Sequence, residues 1–118
     1  IVLDAKLILR YGDAARTAAQ VKQLLTQRKE RQPWGLPNAG SVFKNPLDES
    51  AGKLIESAGL KGLTVGGAQV SEKHANFIVN RGNAKAADVL QLMDLVREKV
   101  LDRHRVRLEP EIKIIGED

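Results

Sequence analysis

The 118-residue sequence predicts a two-layer α+β domain in which a small mixed sheet packs against two long helices and one short helix. Three observations predict it. Residues 14–31 and 85–104 carry apolar side chains at helical spacing. Several other segments alternate or are short, apolar and bounded by glycines. The order strand, helix, loop, helix, short strands, helix, strand sets two long helices against a small mixed sheet in two layers.

Taken in order, residues 1–11 alternate as a half-buried strand, with Leu3, Ala5, Leu7 and Leu9 on one face and Asp4, Lys6, Ile8 and Arg10 on the other. Gly12-Asp13 ends it, and Asp13 is a good N-cap for a helix over 14–31. Ala18, Val21, Leu24 and Leu25 form its apolar stripe. Arg28, Lys29 and Arg31 place cations at its C-terminus, where the helix dipole favours them, and Pro33 stops it. Residues 32–46, with Pro33, Pro37, Pro46, Gly35, Gly40 and Trp34, read as an ordered loop or a broken strand. Asp48 is placed to cap a short helix over 49–58 that Gly59 closes. Residues 62–80 read as short strands broken at Gly66-Gly67, followed by Phe77 to Val79, with a turn at Gly82-Asn83. Residues 85–104 form the second long helix, with Val89, Met93, Val96 and Val100 on one stripe. In a final strand Val106, Leu108, Ile112 and Ile114 alternate to one side, which turns Glu111 and Lys113 to the other.

Composition narrows the function. Hydrophobic residues make up 42%, as in an ordinary globular domain. There is no cysteine, which excludes disulfides, thiolate chemistry and Cys-ligated metals. Two distant histidines, His74 and His104, make no metal site. No apolar run approaches the roughly 20 residues of a membrane span, so no membrane partner is expected. The chain opens Ile1-Val2-Leu3, without Met, and reads as a piece of something longer. A net charge of +4 and a pI near 9.6 favour an anionic partner. Nucleic acid is disfavoured, since aromatics are only 3% and no nucleic-acid-binding signature is present. A small phosphorylated ligand fits the charge equally well.

The segment Asn38-Ala39-Gly40-Ser41-Val42-Phe43-Lys44-Asn45-Pro46 gathers a glycine, a hydroxyl, a cation and an amide, a set that suits an anionic or carbonyl-bearing ligand. The same residue types are also ordinary turn formers. In Leu108-Glu109-Pro110-Glu111-Ile112 the two glutamates are equal candidates by pattern, and an exposed carboxylate paired with Lys113 is the plainer account of Glu111. His74 suits a surface or half-buried polar position, and His104 a helix end. Gly66-Gly67 lacks the spacing of a phosphate loop and fits a bend better.

These pieces, in this order, resemble one family. The resemblance rests on the 38–46 segment, on Ala51-Gly52-Lys53-Leu54-Ile55-Glu56 and on Ala58-Gly59-Leu60-Lys61-Gly62. It continues through Val65-Gly66-Gly67-Ala68-Gln69-Val70-Ser71, Lys73-His74-Ala75-Asn76-Phe77 and the closing Leu108-Glu109-Pro110-Glu111-Ile112. The chain resembles the C-terminal domain of the UDP-N-acetylenolpyruvoylglucosamine reductases of peptidoglycan synthesis. The resemblance implies a cytoplasmic oxidoreductase in which NADPH reduces FAD and the flavin delivers hydride to an enolpyruvyl UDP-sugar. By motif position Ser41 is the proton donor and Glu111, rather than Glu109, the catalytic glutamate. Asn45, Lys61 and His74 map to substrate contacts, and Lys29 or Arg31 to a basic contact before the loop. The short link from Arg31 to Ser41 resembles the class that lacks a tyrosine-bearing insertion. The implied organisation is a strand or connection at 1–12 from a flavin-binding domain absent here, and a substrate-binding domain over 13–118. Most FAD contacts and a catalytic arginine would then lie in the absent N-terminal domain, and the fragment alone is expected to reduce nothing. A stand-alone UDP-sugar-binding module without catalysis is the alternative.

Overall fold

The computed structural model describes residues 1–116. Its elements are α1 (Ala14–Arg31), β1 (Asn38–Ser41), α2 (Ala51–Ser57), β2 (Thr64–Val65), β3 (Ala68–Val70), β4 (Phe77–Asn80) and α3 (Ala86–His104). The α+β class is as expected. The sheet has the order β1-β4-β3-β2 and is antiparallel at every pairing, not mixed. The reason is the length of the links. Gly66-Gly67 joins β2 to β3 and residues 71–76 join β3 to β4, and links this short can only reverse the chain.

α3 forms the second layer. Leu92, Met93, Val96 and Val100 are buried along it, against Val70 and Ile78 of the sheet and Leu54 and Ile55 of α2. Three of the four residues of its expected stripe are thus core, and Val89 packs at the margin. Asp88 caps α3, its Oδ2 accepting the Lys85 N–H at 2.9 Å. α2 begins at Ala51, later than expected, and Asp48 does not cap it. The Ala51 N–H instead donates to Asn45 Oδ1 at 3.0 Å. Gly59 ends α2 at φ +74°, a conformation that favours glycine.

Two expected packings are absent. Residues 1–12 form no strand, and Leu3, Leu7 and Leu9 are exposed. Alternation marks a face that wants covering, but a strand also needs a neighbour for its N–H and C=O groups, and no described segment lies beside it. α1 forms with the expected bounds, started by Asp13, whose Oδ1 accepts the Arg16 N–H at 2.9 Å. It buries no residue, however, and Val21, Leu24 and Leu25 remain about half exposed. Only one long helix therefore covers the sheet. The radius of gyration, 17.4 Å, exceeds the ~13.5 Å of a compact chain this long, because residues 1–31 project from the rest.

The final strand is also missing. One antiparallel bridge, Phe43 with Pro110, represents it. Leu108 is buried beside that bridge, but Ile114 is exposed. Pro110 has no N–H to extend the ladder.

Candidate active-site cleft

The 38–46 segment opens with an edge strand, β1, that carries a bulge, and Phe43 beyond it makes the bridge to Pro110. Asn38 faces Val79 and Ser41 faces Phe77, so the register slips between them. Gly40, at φ +84°, takes up the slip. A Cβ there would meet nothing within 4 Å, so its backbone conformation, and not crowding, calls for glycine. Asn38 shapes the bulge: its Oδ1 accepts the Gly40 N–H at 3.0 Å and its Nδ2 donates to the Leu36 carbonyl at 2.8 Å. The bulge sets Ser41 into the wall of a cleft of about 510 Å³ that Arg28, Trp34, Asn38 and Phe77 also line.

Beyond Ser41 the chain is held on both sides. On one, the Val42 N–H donates to the Asn76 carbonyl at 2.9 Å, and the Phe43 peptide is gripped by the Asn76 side chain. On the other, the Glu111 N–H donates to the Val42 carbonyl at 2.8 Å and the Lys44 N–H to the Glu109 carbonyl at 2.9 Å. Ser41 and Glu111 are thus both tied to Val42. The two glutamates part company here. Glu109 Oε2 lies 3.4 Å from Lys44 Nζ, an exposed pair worth at most about 1 kcal/mol. Glu111 is exposed and forms no ion pair among the described residues, so the expected alternative of a bridge to Lys113 is not present.

A second cluster gathers Lys61 and His74 behind Phe77. Lys61 Nζ pairs with Glu56 Oε1 at 2.6 Å. The His74 ring abuts α2, since a Cβ on Gly52 would stand 3.1 Å from its Cε1. It meets the Phe77 ring edge-on at 4.9 Å. Its Nδ1 accepts the Asn76 N–H at 3.2 Å, so a neutral ring carries its proton on Nε2. Burial, and then the Lys61 charge, hold the imidazole below its usual pKa, while a backbone hydrogen bond and then Glu56 act the other way.

Lys29 and Arg31 lie at the far end of α1. Lys29 Nζ stands 5.7 Å from the Trp34 ring, and Lys73 Nζ reaches the Lys29 carbonyl at 3.4 Å. Arg31 is exposed on the last turn. The cation in the Ser41 cleft is instead Arg28, 5.9 Å from the Trp34 ring, with its Nε donating to Gln32 Oε1 at 3.0 Å. Sequence reasoning missed Arg28, although its four-residue spacing to Gln32 was visible. It also missed Asn76, whose signal was a lone amide inside an apolar run. Asn45 is brought to α2 as a cap, while Gly66-Gly67 is no phosphate loop: the Gly67 N–H points to Asp88 Oδ2 at 3.4 Å. No metal-binding cluster occurs among the described residues, nor any helix long and apolar enough to cross a membrane.

Compared with known proteins, residues 32–115 match the family model described as the UDP-N-acetylenolpyruvoylglucosamine reductase C-terminal domain. The chain is 58% identical over 116 residues to UDP-N-acetylenolpyruvoylglucosamine reductase 2 of Symbiobacterium thermophilum, covering 98% of the chain and 38% of that protein. It is 55% identical over 113 residues to the reductase of Alkalilimnicola ehrlichii, covering 96% of the chain and 38% of that protein. It also matches the crystal structure of UDP-N-acetylenolpyruvylglucosamine reductase from Thermus caldophilus with a TM-score of 0.74 and 40% identity, over 92% of this chain and 38% of that one. The chain thus spans well under half the length of these relatives.

Proposed function

The chain belongs to the UDP-N-acetylenolpyruvoylglucosamine reductase C-terminal domain family, and from that membership we propose that it forms the substrate side of a cytoplasmic flavoenzyme making UDP-N-acetylmuramate for peptidoglycan. Residues 13–118 are assigned to substrate binding, and 1–12 to the connection from an N-terminal flavin-binding domain. When bound, FAD reduced by NADPH would supply hydride to the enolpyruvyl double bond of the UDP-sugar. Most contacts to that cofactor are assigned to the N-terminal domain. The one glycine pair that could approach a pyrophosphate faces the Asp88 carboxylate, so its phosphate contacts are assigned to the N-terminal domain.

This chain's task is then the proton. Hydride addition leaves negative charge on the carbon that bears the substrate carboxylate. Ser41 Oγ–H donates its proton to that carbon, and water restores it afterwards. A hydroxyl is a weak acid, but it can serve beside so basic a centre when held within hydrogen-bond reach. Glu111 polarises the carboxyl or enol group, together with the arginine expected from the other domain. Asn45, Lys61, His74 and a base from Lys29 or Arg31 are assigned to the UDP-sugar, whose diphosphate matches the cationic balance of the chain.

The observation that supports the reading is that the Glu111 N–H is bonded to the carbonyl of Val42, the residue next to Ser41, while Ser41 itself lines the cleft. The test is rapid-mixing kinetics on the holoenzyme with Ser41→Ala. Flavin reduction by NADPH should persist, while reoxidation by the enolpyruvyl substrate should slow by at least ~10²-fold. Equal loss in both half-reactions would remove Ser41 from the proton's path.

A further inference from the structure

β4 ends at Phe77 on the side where β1 runs on into Val42 and Phe43. There the Phe77 N–H turns back to the His74 carbonyl at 3.0 Å, so past Asn76 no backbone remains to pair with Phe43. Asn76 fills the gap with its side chain. Its Oδ1 accepts the Phe43 N–H at 3.0 Å and its Nδ2 donates to the Phe43 carbonyl at 2.8 Å. A primary amide has the donor and acceptor of a peptide group, so the side chain substitutes for one more residue of strand. Asn76 is 4% exposed, and its own N–H and C=O are bonded to His74 Nδ1 and the Val42 N–H. All four of its polar groups are therefore engaged. Buried networks of this kind favour one geometry, because letting go of a partner strands a polar group away from water.

We infer that Asn76 is a positioning residue of the reaction: its amide stands in for a missing strand and fixes Val42 and Phe43, and through them the spacing of Ser41 from Glu111. The inference rests on the proposed roles of those two residues. Its physical content is a distance tolerance, since a displacement of about 1 Å in a reacting group can cost ~10²-fold in rate. Asn76 touches neither substrate nor flavin in this account. It acts through the peptide bonds on either side of Val42.

The test uses Asn76→Asp in the holoenzyme, assayed below its melting temperature. The carboxylate keeps the acceptor for the Phe43 N–H but sets an oxygen against the Phe43 carbonyl. Asn76→Ala, which leaves room for a water to reach the Phe43 peptide, is the second variant should the first fold poorly. Flavin reduction by NADPH should match the wild type, and KM for the UDP-sugar should change little. Reoxidation by that substrate should fall by about 10²-fold. A folded variant with unchanged reoxidation overturns the inference, as does a parallel fall in both half-reactions, which marks a merely structural residue. Ser41→Ala run alongside separates the two hypotheses: if it leaves reoxidation intact, the reading of Ser41 fails; if it abolishes reoxidation while both Asn76 variants do not, only the role of Asn76 fails.

Discussion

His74 shows how packing sets the chemistry of a single residue. Burial between α2 and Phe77 disfavours the imidazolium, and Lys61 adds to the effect. With the folded pKa lowered, the unfolded chain binds more protons than the folded one once the pH falls below 6.5. The stability gained from a neutral His74 is thus complete above 6.5 and is lost as the pH falls toward the folded value. Melting temperatures of the chain should drop between about pH 7.5 and about pH 5.5, and His74→Gln should flatten that slope. Lys61→Met should raise the His74 titration followed by NMR, yet leave it below 6.5, because burial is the larger cause. A ring that rose fully to 6.5 would make Lys61 the main cause instead. A single contact also separates the two glutamates: Lys44 engages Glu109, and Glu111 forms no ion pair among the described residues.

At the scale of elements, α2 is a seven-residue helix too short to stand without tertiary help. Asn45 supplies part of that help across a loop, since the Ser50 side chain makes no cap bond. Asn45→Ala should cost about 1 kcal/mol in denaturant melts. Asn45→Asp keeps an acceptor at the positive end of the helix, so stability should hold. If Asn45 also contacts the diphosphate, calorimetry with the UDP-sugar should show weaker binding for Asn45→Asp through charge repulsion. Unchanged affinity in a stable Asn45→Asp would leave this residue a cap and nothing more. The β2–β3 hairpin makes a second test. A Cβ on Gly67 would collide with backbone of the loop entering α3, including Ala84 Cα at 2.8 Å. Gly67→Ala should therefore destabilise by about 1–3 kcal/mol, as overpacking does. An unshifted melting temperature would show that the loop can yield.

For the whole molecule, the cooperative unit is the part that shares the core. Every residue of that core lies between Val42 and Leu108, and α1 contributes none. Removal of residues 1–31 should shift the melting midpoint of the chain by less than about 4 °C, the effect of under 1 kcal/mol in a domain this size. A larger loss would mean that the Lys29, Trp34 and Lys73 contacts at the end of α1 stabilise more than their exposed geometry suggests. The family match covers residues 32–115.

What the sequence determined by itself was local. Asp13 started α1, Pro33 stopped it, the apolar stripe of α3 marked its buried face, and the motif series identified the family. These features are legible because capping, periodicity and turn chemistry depend on residues a few positions apart. The tertiary structure decided what those features meet. Apolar alternation at 1–11 and the stripe of α1 announce faces that want a partner, but not whether this chain supplies one, and among the described residues it does not. The antiparallel sheet, the Asn76 grip on Phe43 and the tie of Glu111 to Val42 are bonds between distant residues. Their partners are chosen by the path of the whole backbone and the need to satisfy every buried N–H and C=O, which no local pattern encodes.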